Sequence, residues 1–478
     1  MKQGLTNFYE PDFLWKIMAG EERRGKLKDD SYSPQVKELS AKLKKMRDEY
    51  KTLPKDERCE QRQEILELRE LLDKTKQEEL KEKSIFISRG KIKLDIAVSE
   101  IKGHQALIAK NLETMLVCQI IKLELRRSYK IYPANMDTII EQVKGLLDNP
   151  MPKIVIRADI HHFFESIPQK ELLKKIEDDS FISHRTVKYL KSILFNSNEQ
   201  LHIINNVGLP RGLAFSSHLS ELYMHSIDKK IKSKDGIYYY KRYVDDILIV
   251  ADPTKHSMAD YWSFLKETFE EKKLELHEDS EKKYLRYLDE HSENASFDYL
   301  GYNFAYNKGN LMLGLSGKRF NKYRKLLCAI FKIYSQCSHY RKPSGRLVEG
   351  KSKYAHQDAL HQLFSRLKVL TSNGLLSGRK NYVATGIYYS NKYLTDFSQL
   401  RQLDQLLYEM IEDKEVFCPP TSLFNYSQDN GYDKNVALIK ERLHELSFEK
   451  GFHDRKLHKG TRFGQVLLGL QHIYRSIG

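Results

Sequence analysis

Hydrophobic residues near the N-terminus recur at the spacing of a helix. The first run consists of Val36, Leu39, Leu43, Met46 and Tyr50, which step by three or four residues. A second run consists of Ile65, Leu68 and Leu72. Pro54 stands between the two runs and cannot continue a helix. The pattern predicts a charged helical hairpin, more typical of a solvated arm than of a self-associating coiled coil because the heptads are few.

The middle of the chain alternates between strand-like and helix-like segments. Apolar runs rich in β-branched and aromatic residues predict strands at 85–97, at 153–159 and, as two short strands, at 238–250. Helical spacing predicts helices at 101–128, 136–147, 261–273 and 318–334. The chain is therefore expected to fold as a mixture of helices and strands.

Two adjacent carboxylates, Asp245 and Asp246, lie at the centre of the 238–250 run, where we expect burial to be deepest. Burying an ionised carboxylate without a partner costs on the order of several kcal/mol, so the chain must supply a cation. Arg242 and Lys241 are nearby, but two acids side by side at a hairpin tip favour a hard divalent ion. A surface β-turn explains the same residues equally well when they are taken alone.

Two further segments extend this pattern. The strand at 153–159 ends in Asp159, and a helix-like segment follows it. A glycine- and proline-containing loop from Gly208 then opens a helix, with Ser216 or Ser217 placed to cap its first turn. The chain thus presents a strand ending in an aspartate, a glycine-containing loop with a helix, and a Tyr-Val-Asp-Asp hairpin, in that order.

This order resembles motifs A, B and C in the palm of the reverse transcriptases. The resemblance is carried by 153–168, 208–223 and 238–250, and it implies a motif E hairpin at 297–304. It implies an α+β fold of the right-hand polymerase type, with fingers, palm and thumb. The expected domains are a helical N-terminal extension at 1–84, fingers and palm at 85–310, a basic thumb at 311–400 and a helical C-terminal appendage at 401–478.

The resemblance also implies a two-metal active site. Asp159, Asp245 and Asp246 match the catalytic aspartates that hold two Mg²⁺ ions, for which Mn²⁺ can substitute. The carbonyl of Ile160 matches a further metal ligand. In this chemistry one ion activates the 3′-hydroxyl of the primer, the other holds the triphosphate, and both stabilise an in-line displacement.

Four residues are implied to bind the incoming nucleotide, namely Phe164, Arg211, Gly212 and Lys282. Phe164 stands where the family carries an aromatic ring under the sugar, which excludes a 2′-hydroxyl. From the residues alone, either Phe163 or Phe164 can instead fill the core. Lys282 matches the motif D lysine that protonates the departing pyrophosphate, with Lys283 close behind.

Arg211 departs from the usual family pattern, which places Gln in the Leu-Pro-x-Gly loop. The Leu-Pro-Arg-Gly sequence at 209–212, Arg-Tyr-Val-Asp-Asp at 242–246 and the serines at 216–221 are similar to the abortive-infection and defence-associated reverse transcriptases of bacteria. Because Arg stands where the family has Gln, we do not expect this loop to check base-pair geometry as it does in the retroviral enzymes. Arg211 can instead contact phosphate.

The charge distribution adds a polyanionic partner to this picture. The chain of 478 residues has a formal net charge of +15, and 316–400 holds 16 Lys and Arg against 3 Asp and Glu. Because a solvated charged face would mix in acids, this block favours contact with nucleic acid. The expected nucleic-acid-binding residues lie on the helix predicted at 318–334 and are Lys318, Arg319, Lys322 and Lys325.

Cysteine usage and hydropathy suggest the compartment. Five cysteines are scattered without a Cys-x-x-Cys pair, so we expect reduced thiols and no zinc site. The N-terminus lacks the apolar core of a signal peptide, and no segment approaches the about 18 apolar residues of a membrane span. We expect a soluble cytoplasmic protein without a membrane partner, and the helical extensions leave self-association into a homo-oligomer open.

The expected function is RNA-directed DNA polymerase activity, in which dNTPs are joined into DNA on an RNA template, a dedicated non-coding RNA copied during anti-phage defence. Three alternatives stay open: a template-independent, protein-primed DNA polymerase, a retron- or intron-type reverse transcriptase, and a non-catalytic RNA-binding scaffold. The sequence leaves open the template, the product, the primer, the oligomeric state, the link from activity to defence and the fingers cations that bind the triphosphate.

Overall fold

The structure is a computed structural model. It describes residues 7–23, 27, 32–52, 58–90, 92–101, 103–132, 134–338, 352–377, 382–413, 441–458, 466–467, 469–471 and 473–474. Pro54, the predicted break between the first two helical runs, lies outside these residues.

The described residues form a mixture of helices and strands. The helices are α1 (Pro11–Arg23), α2 (Pro34–Thr52), α3 (Arg58–Ser88), α4 (Leu112–Ser128), α5 (Met136–Leu147), α6 (Phe163–Ser166), α7 (Gln169–Asp179), α8 (His184–Gln200), α9 (Ser216–Lys232), α10 (Met258–Glu270), α11 (Gly317–Ser338), α12 (Ser352–Thr371), α13 (Ser398–Glu412) and α14 (Phe448–Asp454). The strands are β1 (Ile96–Ile101), β2 (His104–Ala109), β3 (Lys153–Asp159), β4 (Ile237–Tyr243), β5 (Asp246–Ala251), β6 (Tyr284–Leu288), β7 (Ala295–Tyr299), β8 (Tyr302–Asn307), β9 (Asn310–Leu315), β10 (Asn373–Ser377), β11 (Tyr382–Gly386) and β12 (Leu457–His458).

The described strands form four sheets. An antiparallel pair joins β1 and β2, and the largest sheet has the strand order β4-β5-β3-β6. β7, β8 and β9 form an antiparallel meander. In the fourth sheet β10 pairs antiparallel with β11 and parallel with β12.

The chain divides into two compact units. The first unit contains Met1–Ala134, Arg157–Ile249 and Thr254–Lys283. The second contains Asn135–Ile156, Val250–Pro253 and Tyr284–Gly478. All residues predicted to hold metal or nucleotide therefore belong to the first unit, and the predicted nucleic-acid-binding residues belong to the second.

The two helical runs predicted near the N-terminus are confirmed as α2 and α3. Val36 of α2 and Leu72 of α3 are buried in one apolar cluster with Leu14 of α1 and Leu116 of α4. Burial of each such side chain stabilises the fold by roughly 1.5–3 kcal/mol. The apolar stripe of the hairpin is thus part of the core of the first unit.

The strands predicted at 85–97 begin later than expected. Residues 85–88 are instead the last turn of α3, whose Leu80 and Ile87 are buried and lie seven residues apart on one face. Packing of that face extends the helix through residues whose intrinsic preference favours a strand. The first strand begins at Ile96.

The helix predicted at 101–128 also begins later than expected. Gly103 has a φ of +75° and turns the chain back, so that 104–109 pair with β1 as β2. The helix α4 starts after Asn111, whose side chain accepts a hydrogen bond from the Thr114 N–H (2.8 Å). Its C-terminal end agrees with the prediction.

The other predicted elements are confirmed with small shifts. α5 covers 136–147, and α11 contains the helix predicted at 318–334. α10 begins three residues before the predicted start because Ser257 and Asp260 form a capping box. No described helix is long and apolar enough to cross a membrane.

The hairpin expected at 297–304 is formed in the second unit by β7 and β8. Leu300 and Gly301 both have positive φ, at +47° and +86°, which gives the tight turn that matches the strand twist. A Cβ at position 301 would lie 2.2 Å from Nη2 of Arg319. The positive φ therefore favours glycine at this turn, and a side chain there would displace the Arg319 guanidinium.

Candidate active site

The three aspartates lie at the ends of neighbouring strands of the largest sheet. Asp159 is the last residue of β3, and Asp246 is the first residue of β5. The backbone N–H of Ile160 donates to the carbonyl of Asp245 (3.3 Å), which fixes the end of β3 beside the β4–β5 turn. Folding thus brings together the two segments that carry the predicted catalytic residues.

The turn between β4 and β5 is held in a strained conformation. Val244 has a φ of +60°, a region that β-branched residues rarely adopt and that costs roughly 1–3 kcal/mol. Nη1 of Arg242 donates to the Val244 carbonyl (2.6 Å). The surrounding contacts therefore impose one backbone geometry on the residue that precedes Asp245.

Arg242 supports this turn without pairing with the aspartates that follow it. Its guanidinium is buried and forms ion pairs with Glu221 (2.8 Å) and Asp228 (3.0 Å), both on α9. Arg242 is near Asp245 and Asp246 in sequence and was a candidate cation for them. In the structure, however, the Arg242 guanidinium donates to residues of α9 and to the carbonyl of the turn.

Two other cations neutralise the aspartates. Nε of Arg157 donates to Oδ1 of Asp246 (3.0 Å), and Nζ of Lys282 donates to Oδ2 of Asp159 (2.5 Å). Arg157 also donates from Nη1 to the carbonyl of Glu281 (3.2 Å), the residue before Lys282. Because Arg157 contacts both the aspartate turn and the segment that carries Lys282, it connects the two sides of the site.

Backbone pairing delivers Lys282 to the end of β3. The His161 N–H donates to the carbonyl of Glu275 (2.8 Å), and the His277 N–H donates to the carbonyl of Asp159 (2.9 Å). The His277 ring lies beside this ion pair, with Nε2 3.0 Å from Nζ of Lys282 and 3.7 Å from Oδ2 of Asp159. The segment from 275 to 283 is thus part of the site.

Burial and mutual repulsion perturb the carboxylates of the turn. The pKa of Asp245 is raised, first by burial and then by the charge of Asp159, while Lys282 and Arg211 oppose the rise. Burial raises the pKa of Asp246 from 3.8 to about 6, against the opposing effect of Arg157. Ionised carboxylates in this setting are stabilised by any additional positive charge.

The donor set is suited to a hard divalent ion. Carboxylate and carbonyl oxygens are the ligands that Mg²⁺ prefers, and the repulsion between Asp159 and Asp245 favours a shared cation. Across the part of the chain that the structure describes, no three His, Cys, Asp or Glu side chains are arranged to hold a metal ion. Asp159 and Asp246 each contact a side-chain cation. Lys282 contacts Oδ2 of Asp159, so a metal ion bound by this carboxylate would compete with the lysine for its negative charge.

The two phenylalanines after β3 differ in exposure. Phe163 is only 2% exposed and belongs to the core, whereas Phe164 is half-buried. The Phe164 carbonyl accepts a hydrogen bond from the Leu209 N–H (2.7 Å), so the predicted glycine loop lies against this segment. Phe164 is therefore the one of the two rings that a substrate can reach.

The loop before α9 is fixed at both ends. Gly212 has a φ of +94°, and a Cβ there would lie 2.4 Å from the carbonyl oxygen of Leu107 in β2. Ser216 Oγ donates to the Pro210 carbonyl (2.6 Å), and the residue at the N-cap is Phe215. The predicted serine cap of α9 is therefore wrong, because the hydroxyl of Ser216 closes the loop instead.

Arg211 lies on the exposed side of this loop. Its Nε donates to Oε1 of Glu165 (2.8 Å), and its guanidinium carbon is 5.2 Å from the centre of the Phe164 ring. The side chain therefore has protein partners on the segment that follows β3, a pairing that the sequence analysis did not foresee.

Sequence reasoning missed three residues at this site, namely Arg157, Glu165 and His277. For Arg157 a signal existed, since residues two apart on a strand point to the same face, and Arg157 precedes Asp159 by two. Glu165 and His277 carry no comparable signal, because the one-turn helix α6 sets the position of Glu165 and an irregular segment sets that of His277.

The predicted nucleic-acid-binding residues lie on α11 of the second unit. Lys318, Lys322 and Lys325 are exposed, whereas Leu326, Leu327 and Ile330 of the same helix are buried. Arg319 differs from the lysines, because it is half-buried and donates to the carbonyls of Ser390 (3.1 Å) and Leu300 (3.3 Å). Arg324 of the same helix is exposed like the lysines, so Arg319 is the basic residue of the predicted set that is held by protein contacts.

The region that contains these segments matches one family of known proteins. Residues 74–304 match the family model described as reverse transcriptase (RNA-dependent DNA polymerase). No curated protein matches the sequence. Among solved structures, the telomerase of Candida albicans in complex with a fragment of telomeric RNA is similar with a TM-score of 0.32 and 13% identity, over 74% of this chain. This chain spans 56% of that structure's length.

The raised pKa of Asp246 predicts a pH effect on stability. The folded state holds its proton up to about pH 6 and the unfolded state only to 3.8, so the contribution of this group falls as pH rises between these values. The loss amounts to at most about 3 kcal/mol. The variant D246N should lack this pH-dependent loss of stability. Urea unfolding of wild type and D246N in EDTA from pH 4 to 8 measures the free energy of unfolding of each. D235N, at an exposed aspartate, is the matched control, and parallel curves for wild type and D246N would contradict the prediction.

Proposed function

We propose that this chain is an RNA-directed DNA polymerase, and therefore a nucleotidyltransferase, that adds dNTPs to a 3′-hydroxyl with two divalent metal ions; the match of residues 74–304 to the reverse transcriptase model supports this. The observation that carries the proposal is the backbone hydrogen bond that joins Ile160 to Asp245 inside the matched region. It places Asp159 beside the Asp245–Asp246 turn. Gathering carboxylates at a partly buried edge costs stability, which a catalytic role explains.

Asp159 and Asp245, with the carbonyl of Ile160, would hold the metal ions. Bound Mg²⁺ or Mn²⁺ supplies charge stabilisation at the phosphate and lowers the pKa of the attacking hydroxyl. Of the adjacent pair Asp245 and Asp246, Asp246 is the more weakly engaged with metal, because Arg157 is its direct partner. Arg157 orients this carboxylate and ties it to the segment that precedes Lys282.

Lys282 and Phe164 act on the nucleotide. Lys282 gives a proton to the departing pyrophosphate, and its contact with Asp159 supports a position at the reacting edge. Phe164 packs under the sugar, where its half-buried ring occupies the space of a 2′-hydroxyl. Arg211 and Gly212 form the wall of the nucleotide site on the loop before α9.

The larger layout is that of a right-hand polymerase. The sheet that contains β3, β4 and β5 is the palm, β1 and β2 belong to the fingers, and α11 begins the thumb. Lys318, Lys322 and Lys325 of the thumb neutralise phosphates of the template–primer duplex. Phosphate contacts position a duplex and do not read its sequence, so a particular RNA is selected elsewhere.

The template is a dedicated non-coding RNA, copied in anti-phage defence. This finer assignment rests on Arg211 in the Leu-Pro-x-Gly loop and on the resemblance to the abortive-infection enzymes. Sequencing the nucleic acid that copurifies with the chain tests it. One RNA species with its DNA complement supports the assignment, whereas untemplated DNA joined to a tyrosine would establish a protein-primed polymerase instead.

The double variant D245N/D246N should lose dNTP incorporation by at least about 100-fold, because the amides cannot replace the charge that stabilises the transition state. Primer extension on a defined RNA template with Mg²⁺ measures the loss. D235N removes an exposed carboxylate from the same unit and should extend the primer as wild type does. Wild-type extension by the folded double variant would refute the assignment of the aspartates.

The double variant K318E/K325E should bind a template–primer duplex more weakly, since both lysines are exposed on one face of α11, two turns apart. The slope of log affinity against log salt should fall by about 2. K42E/K45E on α2 makes the same change in net charge and is the control. If both variants behave alike, net charge rather than α11 determines binding.

A further inference from the structure

The ring of Phe164 lies between two side chains. The guanidinium carbon of Arg211 is 5.2 Å from the ring centre, within the distance of a cation–π contact. The ring of Phe163 lies 5.4 Å away at an interplanar angle of 67°. Phe163 is buried and therefore fixed, so the orientation of Phe164 depends on whether Arg211 stays in place.

Glu165 holds Arg211 in that position. Nε of Arg211 donates to Oε1 of Glu165 (2.8 Å), and Nη2 donates to Oε2 (3.2 Å). A two-point contact of this kind fixes the plane of the guanidinium as well as its distance. Glu165 follows Phe164 directly in the chain. Phe164 therefore supplies the ring, and Glu165 fixes the position of the cation that contacts the ring.

The backbones of the two segments are also fixed to each other. The Leu209 N–H donates to the Phe164 carbonyl (2.7 Å), and the Leu107 N–H donates to the Arg211 carbonyl (2.7 Å). A Cβ at Gly208 would lie 3.1 Å from the carbonyl oxygen of Glu165, which shows how closely the segments approach. With the backbone held, the side chains of Glu165 and Arg211 decide the surroundings of the ring.

Fold stability does not explain this pair. The side chains of Arg211 and Glu165 are 38% and 46% exposed, and ion pairs with such exposure contribute little to folding. The pair lies in solvent reach, with Glu165 on the segment that follows Asp159, where a nucleotide would bind under the proposed function.

We propose that Glu165 is a positioning residue for sugar selection, which holds the Arg211 guanidinium over the Phe164 ring and so keeps the ring where it excludes a 2′-hydroxyl. The inference rests on the proposed function, in which Phe164 lies under the sugar. Without the cation the ring gains other rotamers, and some of them open space for a ribonucleotide. Glu165 thus acts through Arg211 and Phe164 and does not touch the substrate.

The test is E165Q in the full chain, which keeps the shape of the side chain and removes its charge. The measured quantity is kcat/KM for a dNTP divided by kcat/KM for the matching rNTP on one RNA template and primer. We expect this ratio to fall by about 2- to 5-fold, as loss of one cation–π contact and one ion pair predicts. The ratio should fall because kcat/KM for the rNTP rises, and not because kcat/KM for the dNTP falls. R211K keeps the charge but loses the two-point contact, and it should lower the ratio as well.

The control is E177Q. Glu177 pairs with Lys191 at almost the same exposure, 46% and 47%, within the same unit. The E177Q variant should leave the ratio of dNTP to rNTP efficiency at the wild-type value. A fall in this ratio equal to that in E165Q would overturn the proposal.

A second background separates this inference from the proposed function. In F164A the ratio should already be low, and adding E165Q should change it no further, because Glu165 acts through the ring. An unchanged ratio in E165Q, together with a low ratio in F164A, overturns the role of Glu165 and leaves the gate intact. If the ratio in F164A equals that of wild type, Phe164 does not exclude the 2′-hydroxyl, and the role proposed for Glu165 fails with it. A further fall in the double variant would mean that Glu165 acts independently of Phe164, which also overturns the proposal.

Discussion

The neutralisation of carboxylates at the end of β3 and in the β4–β5 turn is the interaction on which the site depends. Asp159 and Asp245 repel each other, and the pKa of Asp246 is raised to about 6, first by burial and further by the charges of Asp159 and Asp245, against the effect of Arg157. Arg157 and Lys282 offset this cost with direct ion pairs. Without them, strands that end in aspartates could not lie side by side with both acids ionised.

Other elements of the first unit are arranged around this constraint. Buried Arg242 uses its donors on α9 and on the strained carbonyl of Val244, and it thereby fixes the turn. The segment from 275 to 283 pairs with the end of β3 and delivers Lys282. The loop before α9 is closed by Ser216 and approaches β2 through Gly212, which leaves Arg211 facing Glu165.

Much of this arrangement could be predicted from the sequence, since the three aspartate segments carry strong local patterns. Continuous apolar runs located β3, β4 and β5, and helical spacing located α2, α3 and α11. The strand prediction at 85–97 was wrong for 85–88 because packing of Leu80 and Ile87 extended α3 against local preference, and the strand begins only at Ile96. The pairing of Lys282 with Asp159 was beyond prediction for a different reason. Arg242 is nearer in sequence than Lys282, but the turn directs its side chain to α9, and only backbone pairing brings residue 282 to β3.

The central claim is that these carboxylates hold divalent ions and that Lys282 competes with the ions for Asp159. Titration with Mn²⁺, followed by electron paramagnetic resonance without nucleotide, tests it most directly. D159N should bind Mn²⁺ at least about 10-fold more weakly than wild type, because it loses a charged ligand. K282M should bind Mn²⁺ more tightly, since it frees the carboxylate, and D235N should match wild type. Equal affinities for wild type, D159N and K282M would contradict the account.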